Sequence, residues 1–154
     1  MSESPLPAAR PHTKYTDEGR RMREVLTYSR RGSRFTPSQQ ESWDAHSSKW
    51  VIPESAVDQP DFSLTALFGR EAPLIVEIGS GIGEATAALA AARPWANILA
   101  FEVWQPGVAH TLGLLAAAGA ENVRLISLDA VWAMEHLIEP GGLEELWTFF
   151  PDPW

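Results

Sequence analysis

Four carboxylates stand at nearly even intervals in this chain: Glu77, Glu102, Asp129 and Asp152, separated by 25, 27 and 23 residues. Each lies in or just after an apolar run of strand length, and each interval is about one strand plus one helix. If every unit is a parallel strand with its crossover helix, all four acids reach the carboxyl edge of one sheet. Open α/β sheets bind their ligands there. Taken singly, Asp129 above all, such an acid reads as a helix N-cap or a solvated strand end. Four in register beside the turn Glu77-Ile78-Gly79-Ser80-Gly81-Ile82-Gly83 read as a binding edge.

The turn narrows the ligand. Dinucleotide sites favour Gly-x-Gly-x-x-Gly, which brings a helix N-terminus to a pyrophosphate. Here the spacing is Gly79-x-Gly81-x-Gly83, and Glu84 puts a negative charge where phosphate would approach. That suits a ligand with an adenosine, a cationic centre and no phosphate, as in S-adenosyl-L-methionine. Gly79 and Gly81 let the backbone pass close to such a ligand. Glu102 is placed to accept from both ribose hydroxyls, a feature that nicotinamide sites share. Asp129 is placed to meet the adenine amino group, and Glu77 to bind an ammonium group directly or through water.

The run Phe149-Phe150-Pro151-Asp152-Pro153-Trp154 has its own logic. Two prolines fix the backbone around one acid and aim it into the cleft. The aromatics offer a face on which a flat base can stack. The competing reading is a proline-rich strand exit with Trp154 as a packing lid.

The elements that must position these groups follow from pattern. Residues 74–78, 97–103, 123–129 and 146–150 read as strands, the first three being apolar runs rich in β-branched residues. Between them 84–92, 106–118 and 131–138 read as helices, with Pro94 and Gly119 as stops. The alternation predicts an α/β fold with a parallel sheet covered on both faces. Thr36 and Pro37 mark a further helix start. Residues 51–73, with three prolines, read as a connector holding a short helical turn near Phe62–Phe68. Three units result: a basic extension over 1–50, its first twenty residues predicted unstructured; the connector 51–73; and the ligand-binding domain 74–154.

Charge divides the same way. The whole chain carries −8, but residues 1–50 hold nine Lys and Arg against six Asp and Glu, whereas 51–154 hold three against fourteen. Eight of the twelve basic residues fall between Arg10 and Arg34. This basic arm, with Tyr28 and Phe35 interleaved, fits phosphate contact plus base stacking, and equally a solvated tail. With no cysteine, disulfides and thiolate metal sites are excluded. The four histidines show no ligand spacing, and no metal is expected. No run reaches the roughly 18 apolar residues of a membrane span, and the start lacks a signal-peptide pattern, which makes a cytoplasmic location the expectation. Trp95, Trp132 and Trp147 read as packing residues; Trp104, two beyond Glu102, reads either as packing or as a flank for the adenine.

Several segments together resemble the bacterial tRNA (guanine-N7)-methyltransferases, a branch of the class I S-adenosylmethionine-dependent enzymes. They are Arg30-Arg31-Gly32-Ser33-Arg34-Phe35-Thr36 with Gln39-Gln40, Glu77-Ile78-Gly79-Ser80-Gly81, Phe101-Glu102-Val103, Asp129-Ala130 and Phe150-Pro151-Asp152-Pro153-Trp154. The resemblance implies a Rossmann-like class I fold with S-adenosyl-L-methionine held by Glu77, Gly79, Gly81, Glu102 and Asp129. It implies an active-site role for Asp152, tRNA contacts by Arg30, Arg31 and Arg34, and a variable-loop guanosine as acceptor. Members of that family continue past the Pro-Asp-Pro-Trp run with a basic, His-containing stretch and further strands. The expectation is therefore a sheet without its C-terminal strands, with weak cofactor binding and no tRNA methylation by this stretch alone. Two other readings stay open: a methyltransferase acting on another base or small molecule, and a non-catalytic cofactor- or RNA-binding fragment.

Overall fold

A computed structural model of the chain describes Gly32 and residues 34–149. Arg30, Arg31, Asp152 and the first twenty residues lie outside the described residues.

The elements in chain order are α1 (Pro37–Trp50), β1 (Val51–Ile52), a 3-10 turn (Glu54–Ala56), α2 (Leu64–Phe68), β2 (Leu74–Ile78), α3 (Glu84–Ala92), β3 (Asn97–Phe101), α4 (Gln105–Ala118), β4 (Val123–Ile126), α5 (Ala130–His136) and β5 (Glu145–Thr148). The strands form one sheet in the order β1-β4-β3-β2-β5, and every neighbouring pair is parallel. The α/β, Rossmann-like class predicted from the sequence is the one observed.

Alternation along the strands divides the core. Ile75, Ile98, Ala100, Val123 and Leu125 face one layer, made by Trp50 of α1, Leu89 and Ala90 of α3, and Val108, Leu112 and Leu115 of α4. Val76, Leu99, Phe101 and Ile126 face the other, with Phe68 of α2 and Trp132 and Ala133 of α5. After β4 the chain crosses back over β3 and β2 and adds β5 beside β2. The strand order therefore reverses at β2, and ligand crevices of such sheets open at that reversal.

Two boundaries of the sequence reading change. The extension over 1–50 includes an integral helix, because α1 packs along α4 and ends in Trp50, 3% exposed, whose indole N–H donates to the Ala120 carbonyl at 2.9 Å. The connector over 51–73 includes a strand, because Val51 and Ile52 pair with Leu125 and Ile126. A two-residue strand has no periodicity to detect, and its place is fixed by Trp50 before it and β4 beside it. Strand ends also shorten: β3 stops at Phe101, β4 at Ile126 and β5 at Thr148.

The amino end of the sheet is locked by side-chain amides. Asn122 lies within 3.2 Å of the Ala90, Arg93 and Ala96 carbonyls through its Nδ2 donor. Asn97 accepts from Arg70 Nε at 2.9 Å and donates back to the Arg70 carbonyl at 3.2 Å. Arg70 also donates to the Pro94 and Ala96 carbonyls. These groups close the loops entering β3 and β4 and leave the opposite end of the strands to do something else.

Candidate donor-binding edge

Strand β2 runs straight into the glycine turn. Gly79, Gly81 and Gly83 have φ of 74°, 58° and 83°, the left-handed region that residues with a Cβ resist. Gly79 and Ser80 both donate to the carbonyl of Phe101, the last residue of β3. The turn is thus stitched across the ends of two strands before α3 begins at Glu84. A Cβ built on Gly79 or Gly81 meets nothing within 4 Å, so the turn faces open space. Gly83 is the opposite case: a Cβ there would collide with Thr111 of α4.

The carboxylates occupy three different settings. Glu77, 2% exposed, accepts from the Thr86 hydroxyl at 2.6 Å. Burial pushes its carboxyl above the ordinary 4.5, the Thr86 bond works against that, and the charge of Glu102 adds to it. Glu102 is half-buried and braces the site: Oε2 accepts from Gly81 N at 2.7 Å and Oε1 from Trp104 N at 2.8 Å. An ionised carboxylate offers about four lone-pair positions, so two backbone bonds leave room for a pair of hydroxyls. Asp129, 3% exposed, caps α5, with Oδ1 accepting from Trp132 N at 2.9 Å. Its N-cap reading is what the structure displays.

Ser80 was passed over in the sequence, and it is the informative residue. It is 8% exposed, and its hydroxyl is the one buried side-chain polar atom among the described residues without a hydrogen-bond partner. Buried hydroxyls without partners are costly and uncommon. An unpartnered donor in a turn whose glycines face open space fits a ligand that completes the site. No sequence signal distinguishes Ser80 from an ordinary turn serine. The residues present therefore fit an uncharged or cationic adenosine ligand: open glycines, an orphaned hydroxyl, a half-free Glu102 and buried Glu77, with Glu84 in the first turn of α3.

Gly32 and Arg34, the described residues of the basic arm, lie at the same edge. Helix α1 leads directly into β1, so its N-terminus lies at the carboxyl end of the sheet and its C-terminus at the amino end. Thr36 caps that N-terminus: its hydroxyl accepts from Gln39 N at 3.2 Å while Gln39 Oε1 accepts from Thr36 N at 2.9 Å. Phe35 packs on Trp43 with ring centroids 5.5 Å apart. Arg34 is exposed here, and Gly32 is held by the Trp104 indole, whose Nε1–H donates to the Gly32 carbonyl at 3.0 Å. Strand β5 reaches this edge too, since Thr148 pairs with Ile78, one residue before Gly79. Of the residues singled out in the sequence, Glu77, Gly79, Gly81, Glu102, Asp129 and Arg34 share one edge.

Among the described residues, no helix is long and apolar enough to cross a membrane, and no group of three His, Cys, Asp or Glu could hold a metal.

Comparison with known proteins agrees in kind. A tRNA (guanine-N(7)-)-methyltransferase of a Nocardioides species is 66% identical over 146 residues, covering 95% of this chain and 59% of that protein. The protein of the same name from Cutibacterium acnes is 44% identical, covering 86% and 50%. The chain thus spans between half and three-fifths of the length of these two relatives. Among solved structures, an O-methyltransferase of Streptomyces achromogenes in complex with SAM has a TM-score of 0.44 at 20% identity, over 80% of this chain and 55% of that one. A Haemonchus contortus phosphoethanolamine N-methyltransferase bound to S-adenosyl-L-methionine has 0.39 at 22% identity, over 55% and 19%. Residues 71–154 match the family described as "Putative methyltransferase", and the chain belongs to that family.

Proposed function

We propose that the protein is a tRNA (guanine-N7)-methyltransferase. In this reading the chain supplies its S-adenosyl-L-methionine edge and the basic arm that meets tRNA in the cytoplasm. The observation that carries the donor is the turn itself. Two acids, Glu77 and Glu102, flank open glycines and an orphaned Ser80 hydroxyl, and the helix that follows opens on Glu84 rather than on a free anion site. The acceptor rests on the names of the relatives and on the exposed Arg34, two residues before the cap of α1 at the same edge.

The bound donor supplies an electrophilic methyl group on a sulfonium. Glu102 takes the ribose hydroxyls and, through its bond to Gly81 N, holds the turn in place while doing so. Glu77 takes the ammonium group, and Asp129 meets the adenine amino group beyond its capping bond. Guanine N7 already presents a lone pair, so methyl transfer from a bound sulfonium donor would need no proton removed beforehand and would leave the positive charge on the purine. Asp152 therefore acts by accepting from the guanine N1–H and amino group and by offsetting that charge, not as a base. Arg30, Arg31 and Arg34 contact tRNA phosphates. The remainder of the barrier is met by aligning N7, methyl and sulfur.

Calorimetry on the chain separates donor classes. S-adenosylhomocysteine is expected to bind and NAD to give no heat at the same concentration. NAD binding without S-adenosylhomocysteine binding would overturn the reading.

A further inference from the structure

The glycine turn is the part of this edge least able to hold its own shape. Gly79, Gly81 and Gly83 all sit at positive φ, and glycine loses more conformational freedom on ordering than any other residue. On the β3 side the Phe101 carbonyl holds Gly79 and Ser80, and Glu102 holds Gly81. In the reading above, that second restraint belongs to a carboxylate the donor itself engages. Ile82, next along the turn, is 42% exposed, so side-chain packing does little to fix it.

The remaining restraint comes from one face of α4. Gly107, His110 and Thr111 are spaced i, i+3 and i+4 and so share a side of the helix. They meet Gly81, Ile82 and Gly83 in that order. Gly107 is not at positive φ, and in a helix Ala is the better residue. Space accounts for the glycine, because a Cβ there would run into the Gly81 carbonyl. At Gly83 a Cβ would collide with Thr111, which is fully buried and donates from its hydroxyl to the Gly107 carbonyl at 2.9 Å. Between these two close approaches His110 Nδ1 lies 2.8 Å from the Ile82 carbonyl. A carbonyl only accepts, so that ring nitrogen carries the proton and donates it.

Resting on the donor reading above, we propose that His110 is a positioning residue for S-adenosyl-L-methionine, acting through the Ile82 carbonyl. The flanking contacts at Gly107 and Thr111 are steric and stop the turn from moving closer to α4. The His110 bond is an attraction and keeps the turn from lifting away. Gly79 and Gly81 then present their open side before a ligand arrives, and the turn is ordered on folding rather than on binding.

Two variants test this. His110→Leu removes the N–H, and His110→Asn returns one near the place of Nδ1. S-adenosylhomocysteine binding is measured by calorimetry for the wild type and both variants, with urea unfolding of each. His110→Leu is expected to bind about fivefold more weakly, the worth of one ordinary hydrogen bond, and His110→Asn to recover to within about twofold of wild type. His110 is exposed, so the urea midpoints of both variants are expected to stay near that of the wild type. Wild-type affinity in His110→Leu overturns the proposal. Equal loss in both variants overturns it too, because the effect would then belong to the imidazole ring and not to its N–H. A wild type that does not bind S-adenosylhomocysteine overturns instead the donor reading beneath it.

Discussion

The two ends of the sheet treat buried polar groups in opposite ways. At the amino end Asn97, Asn122 and Arg70 serve backbone carbonyls, and Trp50 gives its indole N–H to Ala120. At the carboxyl end Ser80 keeps a buried hydroxyl without a partner, and Glu77 is buried against its own charge. Both ends close the same strands, so the contrast does not arise from topology. It arises from use: one end is finished by the protein, the other is left to be finished by a ligand. A folded chain tolerates such costs only where something other than stability is gained.

The sharpest way to break this contrast is Glu102→Ala. Loss of two charge-assisted bonds to ribose hydroxyls is expected to weaken S-adenosylhomocysteine binding by roughly a hundredfold, read by calorimetry. Gly81 lies beside open space and its N–H can take water in place of the carboxylate, so stability should shift by no more than about 1 kcal/mol. If affinity is retained while the urea midpoint collapses, Glu102 belongs with the structural amides of the other end.

Asn122→Ala is the mirror experiment. It strips hydrogen bonds from carbonyls in a closed setting, and urea unfolding is expected to register a loss of about 2 kcal/mol. S-adenosylhomocysteine affinity, measured where the variant is fully folded, should stay within about twofold, since Asn122 stands at the far end of the strands. A larger fall in affinity at retained stability would show that the two ends are not separable.

What could be read from the sequence follows the same division. Strands β2 to β5 and helices α3 to α5 were legible because each is a run bounded by Gly, Pro or a polar cap, and the parallel sheet follows from their alternation. The capped start of α1 was legible at Thr36 and Pro37. Its membership in the core was not, because only Trp43 and Trp50 of its fourteen residues reach the packed cluster. Glu77, Glu102 and the glycines were singled out from spacing, which is a one-dimensional property, and the fold brings them to one edge. Neither the orphaned hydroxyl of Ser80 nor the Trp104 bond to Gly32 was legible, because both exist only once distant segments meet. Asp129 shows a third outcome: its cap geometry was the alternative reading, and the cap is present at 2.9 Å.

The finest probe of the contrast is Glu77, where binding and stability oppose each other at one atom pair. Its carboxyl is raised above 4.5 in the folded chain, first by burial and further by the charge of Glu102, against the Thr86 bond. Between 4.5 and the folded value, the unfolded chain has lost this proton and the folded chain keeps it. The folded state binds more protons there, so stability falls as pH rises through that window, and the full cost is present above it. Glu77→Gln keeps the acceptor for Thr86 and the volume but cannot ionise. The difference in unfolding free energy, variant minus wild type, is therefore expected to grow with pH from 4.5 and level off once the folded carboxyl has ionised. The same variant loses the charge that meets the donor's ammonium group, and S-adenosylhomocysteine should bind about tenfold more weakly at neutral pH. A variant that is more stable and binds less well would place the cost and the use of this end on the same carboxylate. A stability difference that does not change with pH would instead mean that Glu77 ionises in the folded chain as it does in the unfolded one, and that its burial carries no cost.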